Sequence, residues 1–400
     1  MSKQQPGREP AAMTIAGVMS GTSADGVDVA IVRIAPGKHV PKLKLLEHRA
    51  FSYPKALRNV VLAAMDAQSI SAAEMARLHW RLGEVYADCI AQTLAASKLR
   101  ASLVGVHGQT IYHQGAASPY LGKPLKCTWQ LGEASCIAER LRIPVISDFR
   151  PADMAAGGHA APLVPMLDYT VFAHAKRNRV LQNLGGIANL SAIPANTSAD
   201  KLLAFDTGPA NMVVDALMQR FFQKPYDRNG ATAKRGIVLQ PVLDTLMRDP
   251  YFVAAPPKST GREQYGAAFV DKLLKLCGKA RGEDIIATAT ALTAESIAHA
   301  YRTFVWPHLG MNAPLAAATD FIPAGGGAKN ATLMRMLRER LEPLGITFVP
   351  IETFGLPAEA KEAAAFALLA WLTWHGLPGN VPSATGASRP VVLGRITDAR

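Results

Sequence analysis

Gly17-Val18-Met19-Ser20-Gly21-Thr22-Ser23-Ala24-Asp25-Gly26-Val27-Asp28 is the stretch on which the reading of this chain turns. Apolar runs flank the turn, Met13 to Met19 before it and Val27 to Ile34 after it, so the segment reads as two strands joined by a Gly-rich turn. Glycines there let the backbone approach a ligand closely, and successive N–H groups can form an anion nest. Ser20, Thr22 and Ser23 add hydroxyl donors. An ordinary hairpin turn is the competing reading, and the density of Gly, Ser, Thr and Asp between Ser20 and Gly26 favours phosphate binding over it. No G-x-x-x-x-G-K-[ST] and no G-x-G-x-x-G occurs in the chain, so the phosphate would be held by a hairpin rather than by a loop that caps a helix.

Working outward, 400 residues correspond to two or three domains of roughly 100–200 residues or one large α/β unit. A hydrophobic share of 49% and a charged share of 18% exclude a mainly disordered chain. The net charge of +12 favours anionic partners, but the basic residues are dispersed, and their densest cluster is only Lys176, Arg177 and Arg179. A nucleic-acid arm calls for a longer run with aromatics placed to stack on bases, so small anionic ligands are the better expectation. Cys89, Cys127, Cys136 and Cys277 form no C-x-x-C pair and no zinc-ligand spacing, which points to a reducing, cytoplasmic setting without a disulfide scaffold or a protein-held metal. Lys3 and Arg8 before the apolar stretch Ala11 to Met19 faintly imitate a signal peptide, but there is no A-x-A site and a buried first strand is the better reading. The apolar helix candidate at Ala363 to Trp374 falls short of the ~20 residues that span a bilayer, so no membrane anchor is expected.

Along the chain, residues 1–12 read as a polar tail. Ser71-Ala-Ala-Glu74 is a capping box that opens a long helix to about Ser97. A short buried strand, Ser102 to Val106, ends in His107-Gly108-Gln109-Thr110. A helix over Glu133 to Leu141 and a strand over Ile143 to Ile146 follow, and the Gly/Pro-rich segment from Asp148 to Pro162 reads as a domain junction. A second hairpin, Arg179 to Leu184 and Ile187 to Ile193, turns at Gly185-Gly186. A strand from Leu202 to Phe205 ends at Asp206 and leads into a helix over Pro209 to Phe222. Helices recur near 267–277, 288–308, 329–342 and 359–375, and a strand from Asp320 to Pro323 ends in Gly325-Gly326-Gly327. The alternation says α/β. A strand–Gly turn–strand unit opening each half, at 13–34 and 179–193, points to two related α/β domains.

Three further motifs carry chemistry. Asp206-Thr207-Gly208-Pro209 places an Asp at a strand end before a Pro-initiated helix, where α/β proteins put catalytic groups, although a helix-capping role fits equally. Gly325 to Gly327 leave a flat backbone suited to a base or ribose, or form a flexible turn. Lys258-Ser259-Thr260-Gly261-Arg262-Glu263, taken alone, is a solvated loop.

Taken together, the order of Gly17 to Asp28, His107 to Thr110, Asp148-Phe149-Arg150 with Asp153, Gly157-Gly158, Ala161 to Leu163, Asn183 to Gly186, Phe205 to Pro209, Pro257 to Glu263 and Gly325 to Ala328 resembles the anhydro-N-acetylmuramic acid kinase family over nearly the whole chain. The resemblance implies the actin-like/sugar-kinase ATPase fold, two α/β domains around a cleft. We expect residues 1–147 plus 377–400 to form the first, bearing the phosphate hairpin, and residues 148–376 the second, bearing the catalytic Asp. It implies ATP-dependent opening of 1,6-anhydro-N-acetylmuramic acid by water with phosphorylation of O6, in peptidoglycan recycling. Asp206 would be the general base and Glu362 a second carboxylate that orients the water or the sugar. ATP would lie on Gly21, Thr22, Ser23, Ala24, Asp25, Gly26, Val27, Asp28, Gly186, Gly208, Gly325, Gly326 and Gly327, and the sugar on Gln109 and Asp153. Mg²⁺ would arrive with ATP through few direct protein ligands. A homodimer without nucleic acid or membrane partners is implied as well. Pro151-Ala152, His159-Ala160 and Ala210 depart from the family's usual residues where sugar or phosphate contacts are expected. A kinase of another aminosugar, or a non-catalytic ATP-binding relative, are the alternatives.

Overall fold

The computed structural model describes residues 9–38, 40–310 and 318–399; most of the polar tail expected at 1–12 lies outside them. The chain divides into two compact units, one running through Val171 and resuming at Phe354, the other spanning Phe172–Thr353.

The first unit is built on seven strands: β1 (Met13–Ser20), β2 (Gly26–Ala35), β3 (Lys42–Ser52), β4 (Leu103–Tyr120), β5 (Lys123–Leu131), β6 (Val145–Ser147) and a last short strand, Arg395–Thr397. β1, β2 and β3 form an antiparallel meander, while β4 runs parallel to β1 and β6 parallel to β4. The strand at 395–397 closes the edge against β6. The other unit carries β7 (Asn178–Leu184), β8 (Ile187–Ile193), β9 (Leu203–Pro209), β10 (Thr319–Ala324) and β11 (Ile346–Phe348), in the order β11-β10-β7-β8-β9. Its β7, β8 and β9 are again an antiparallel meander, and β10 and β11 again add in parallel beside the first strand. The two cores thus repeat one strand order, as the echo between 13–34 and 179–193 foretells.

Each sheet is held by helices whose apolar faces match it. Helix Lys361–Trp374 is almost wholly buried, and Ala363, Ala367 and Ala370 let it lie directly on β1 and β4. Close approach also demands Gly17 and Gly105: a Cβ on Gly17 would run into the backbone of Ala363, and one on Gly105 would stand 2.7 Å from the Ala370 Cβ. Helix Ala72–Ser97 covers the other face, its Ser71 cap accepting the Glu74 N–H at 3.1 Å. The second unit's core gathers around helix Gly282–Ala300, which continues into a π-helical turn at Tyr301–Val305.

The domain limits fall elsewhere than expected. Asp148 to Pro162 is no junction: Phe149, Leu163 and Leu167 are buried in the core that includes helix Lys361–Trp374, so that segment and the helix both belong to the first unit. The strand beginning at Leu103 is also far longer than the buried piece seen in the sequence. It runs on past a Gly108 at φ +82° as a solvent-exposed ribbon with β5, where no apolar face marks it.

Candidate active site

In the first unit the β1–β2 turn presents Thr22, Ser23 and Asp25 to solvent, while Ala24 and Val27 are buried beneath it. Ala24 closes the turn by donating its N–H to the Gly21 carbonyl at 3.1 Å, with φ at +52°. Of the eight residues from Gly21 to Asp28, Ala24 and Val27 therefore have side chains that serve the core, and only their backbone could meet a ligand. Gly21 has open space on its Cβ side, the nearest atom being Ser23 Oγ at 3.8 Å, as a cradle for phosphate requires.

Gln109, expected to meet the sugar, is occupied within the protein. It is fully buried under the turn: its Oε1 accepts from Ser20 Oγ at 3.0 Å, and its Nε2 donates to the Gly21 carbonyl at 3.0 Å. Tyr86 completes the network through its hydroxyl, 2.9 Å from Ser20 Oγ. Gln109 thus braces the β1–β2 turn from beneath. Asp153, also expected at the sugar, is engaged within the protein too. It is 0% exposed, and its carboxylate accepts from the Ala160 N–H at 2.8 Å, Asn380 Nδ2 at 2.7 Å and Thr385 Oγ1 at 2.7 Å, tying the C-terminal segment to helix Phe149–Ala155.

Glu362 stands in the first turn of helix Lys361–Trp374, in the first unit rather than the second. Burial pushes its carboxyl up, with Asp28 adding to the rise and Lys361 and Arg150 opposing it. Asp28 of the hairpin, hydrogen-bonded to His48 at 3.0 Å, is thus close enough to feel Glu362. Arg150 donates through Nε to His107 Nε2 at 2.8 Å, and burial lowers its pKa to about 10. His107 is itself buried and held neutral, first by desolvation and then by Arg150.

In the second unit the Gly185-Gly186 turn meets the start of helix Asn211–Phe222. The Gly186 carbonyl accepts from the N–H groups of Ala210 and Met212, at 3.0 and 3.1 Å, and the Gly185 carbonyl from Asn211 at 3.0 Å. Three of the first N–H groups of that helix are therefore taken up by the turn itself. Gly325 and Gly327 pack against the same turn: at Gly325 a Cβ would lie 2.7 Å from Asn183 Oδ1, and at Gly327 2.7 Å from Leu184 Cβ. Gly186 and Gly326 remain exposed. Gly208 is buried, and its φ of +141° and a Phe252 ring atom 2.8 Å from its Cβ position account for the glycine within its own unit, without a nucleotide.

Asp206 lies inside β9, four residues into the strand rather than at its end. Its backbone is pinned on both sides, the N–H donating to the Lys258 carbonyl at 3.1 Å and the carbonyl accepting from Tyr251 Oη at 2.7 Å. Its Oδ2 accepts the Thr260 N–H at 2.9 Å. Burial raises its pKa from 3.8 to about 6; the Thr260 hydrogen bond pulls against that, and Glu263 adds to it. A carboxyl poised near neutrality beside water is suited to take a proton.

Lys258, read as part of a solvated loop, is instead drawn inward. Its Nζ donates to the carbonyls of Tyr251 at 2.8 Å and Phe252 at 3.2 Å. It sits over the rings of Phe304, Tyr251 and Phe205 at 4.7, 4.8 and 5.6 Å from their centroids. Phe205 and Phe304 come from distant segments, so no local pattern could announce the full cage.

Two α/β units of one strand order, with a glycine-rich hairpin in one and a poised carboxylate on the matching sheet of the other, define a duplicated α/β protein. Residues 13–399 match the family described as anhydro-N-acetylmuramic acid kinase, and the chain belongs to that family. It is 42% identical over 388 residues to an anhydro-N-acetylmuramic acid kinase of Bacillus cereus, covering 96% of this chain and 99% of that one. The protein of the same name from Bacillus thuringiensis subsp. konkukian matches at the same identity and coverage, 42%, 96% and 99%. Among solved structures, the activator of the 2-hydroxyisocaproyl-CoA dehydratase from Clostridium difficile with bound ADPNP aligns over 90% of this chain and 96% of its own, with 11% identity and a TM-score of 0.40. A ROK hexokinase from Thermus thermophilus aligns over 89% of this chain and 99% of its own, with 12% identity and a TM-score of 0.36. Among the described residues no helix is long and apolar enough to cross a membrane, and no three His, Cys, Asp or Glu side chains gather to hold a metal ion.

Proposed function

We propose that this chain hydrolyses 1,6-anhydro-N-acetylmuramic acid and phosphorylates O6 with ATP, yielding N-acetylmuramic acid 6-phosphate and ADP, in a cytoplasmic step of peptidoglycan recycling. The observation that carries the reading is the state of Asp206: half-buried, pinned by its backbone, with one carboxylate oxygen engaged and a pKa of about 6. In the proposed reaction Asp206 takes a proton from water as the water oxygen bonds to the anomeric carbon. The bond from that carbon to O6 breaks, and O6 attacks the γ-phosphorus as the bond from that phosphorus to the β,γ-bridging oxygen breaks and ADP leaves with the electron pair. General-base assistance of this kind contributes roughly 10²–10⁴-fold.

Glu362, a carboxyl with a raised pKa, is the second group of the reaction, orienting the water or the sugar. The exposed Thr22 and Ser23 hydroxyls and the open side of Gly21 suit phosphate oxygens. Gly186 and Gly326 supply the exposed backbone on which the nucleoside would rest. Mg²⁺ bound with ATP would neutralise the phosphates, and with no acidic cluster among the described residues it would be held mainly by phosphate and water.

The test is ADP release with 1,6-anhydro-N-acetylmuramic acid, together with identification of the sugar product. A reducing sugar 6-phosphate formed in step with ADP supports the reading. ADP formation with a product that keeps its anhydro ring, or no ADP with this sugar and turnover of another aminosugar, would reject it.

A further inference from the structure

We propose that Lys258 is a positioning residue for Asp206: anchored in an aromatic cage, it straps the Thr260 N–H onto Oδ2 and so leaves Oδ1 as the oxygen that receives the proton. The inference rests on Asp206 being the base.

The strap is short and tied down at each point. Lys258 holds β9 through its carbonyl, which accepts the Asp206 N–H at 3.1 Å, and two residues later Thr260 reaches the carboxylate at 2.9 Å. The loop carries few other ties. Thr260 Oγ1 donates to Gln264 Oε1 at 2.9 Å, and Gly261 accepts the first bonds of the short helix Arg262–Tyr265. What draws the loop inward is the Lys258 ammonium. It donates to two carbonyls of helix Pro250–Val253 and is faced by three aromatic rings. A cation over several rings, withdrawn from water, is held more firmly than one on the surface. Phe304 reaches the ammonium from the π-helical turn Tyr301–Val305, a local departure from α-helix of the kind that recurs at functional sites. Tyr251 serves both ends, with its ring over Lys258 and its hydroxyl on the Asp206 carbonyl. The charged and titratable groups around Asp206 are Glu263 and Tyr251, while His299, with Arg302 and Glu295 near it, feels the charge of Lys258.

The strap has a consequence that mere stabilisation lacks. The Thr260 N–H lowers the pKa of Asp206 against the effect of burial, so losing it lets that pKa rise. The experiment measures ADP release against pH for the intact chain, Lys258→Met, Thr260→Pro and Asp206→Asn. Met keeps the apolar stem but removes the ammonium; Pro removes the N–H, along with the Thr260 hydroxyl's bond to Gln264, and leaves the residues of the cage unchanged. We expect kcat to fall roughly 10-fold or more in both, KM for the sugar to change little, and the acid limb of kcat/KM to move up by about half a pH unit or more. If Lys258→Met and Thr260→Pro keep the parent's acid limb while Asp206→Asn is inactive, the base stands and the strap is refuted. A shifted limb in Lys258→Met alone also refutes it, because the N–H is then not the link. If Asp206→Asn retains turnover, the reading of the base itself fails.

Discussion

Replacing Asp206 by Asn should raise stability while destroying turnover. Asn is nearly isosteric and can still accept the Thr260 N–H, so the change removes the charge and leaves the shape. The carboxyl's pKa stands at about 6 when folded against 3.8, and with about 1.4 kcal/mol per pH unit this corresponds to a cost of about 3 kcal/mol when the group is ionised. Asp206 keeps some contact with solvent, which screens part of that cost and leaves about 1–2 kcal/mol to be measured. The sign follows from linkage. A carboxyl whose folded pKa is raised holds its proton longer in the native state, so native stability declines as pH rises from 3.8 to about 6 and stays lowered above it. The Asn variant lacks this decline. Thermal unfolding from pH 3.5 to 8 should show its advantage over the parent growing between those limits and then levelling. In the same preparations turnover should drop by roughly 10²–10⁴-fold. An advantage that is flat with pH would show that Asp206 is not held protonated by burial. Near-normal turnover would show that it is not the base.

Other expected outcomes follow from the buried residues that brace each unit. Gln109→Ala should destabilise the first unit by about 3 kcal/mol, since it opens a cavity and strands Ser20 and the Gly21 carbonyl, and urea unfolding would register it. Its effect on the sugar's KM should be small beside that on ATP. Asp153→Asn turns an amide N–H₂ toward donors and should speed hydrogen exchange in residues 380–391, with a loss of about 2 kcal/mol. Gly17→Ala should cost about 1–3 kcal/mol in thermal unfolding, because the methyl meets the backbone of helix Lys361–Trp374. Above pH 6 the acid limb of kcat/KM in the intact chain should flatten, as Asp206 is then ionised.

Local pattern was enough for much of this protein. Apolar-rich segments beside Gly21 and Gly186 mark both hairpins, and Ser71-Ala-Ala-Glu74 marks the start of its helix, because hydrophobic period and cap chemistry act within a few residues. The motif order that led to the family is likewise a property of the chain alone. The sequence misses features whose cause is distant. β5 and the outer part of β4 carry exposed polar and aromatic residues without a buried face. The domain limit at Val171 depends on helix Lys361–Trp374 returning to β1. Side-chain fate is equally non-local. Gln109 and Asp153 look like polar ligand contacts in a Gly-rich context, but they are buried and fully bonded to residues up to 232 positions away. Lys258 looks like a surface charge, but Phe205, Tyr251 and Phe304 enclose it. Short-range sterics and periodicity thus determined the elements and the family, whereas desolvation and hydrogen bonding between remote segments decided which polar residues brace the site and which remain to act in it.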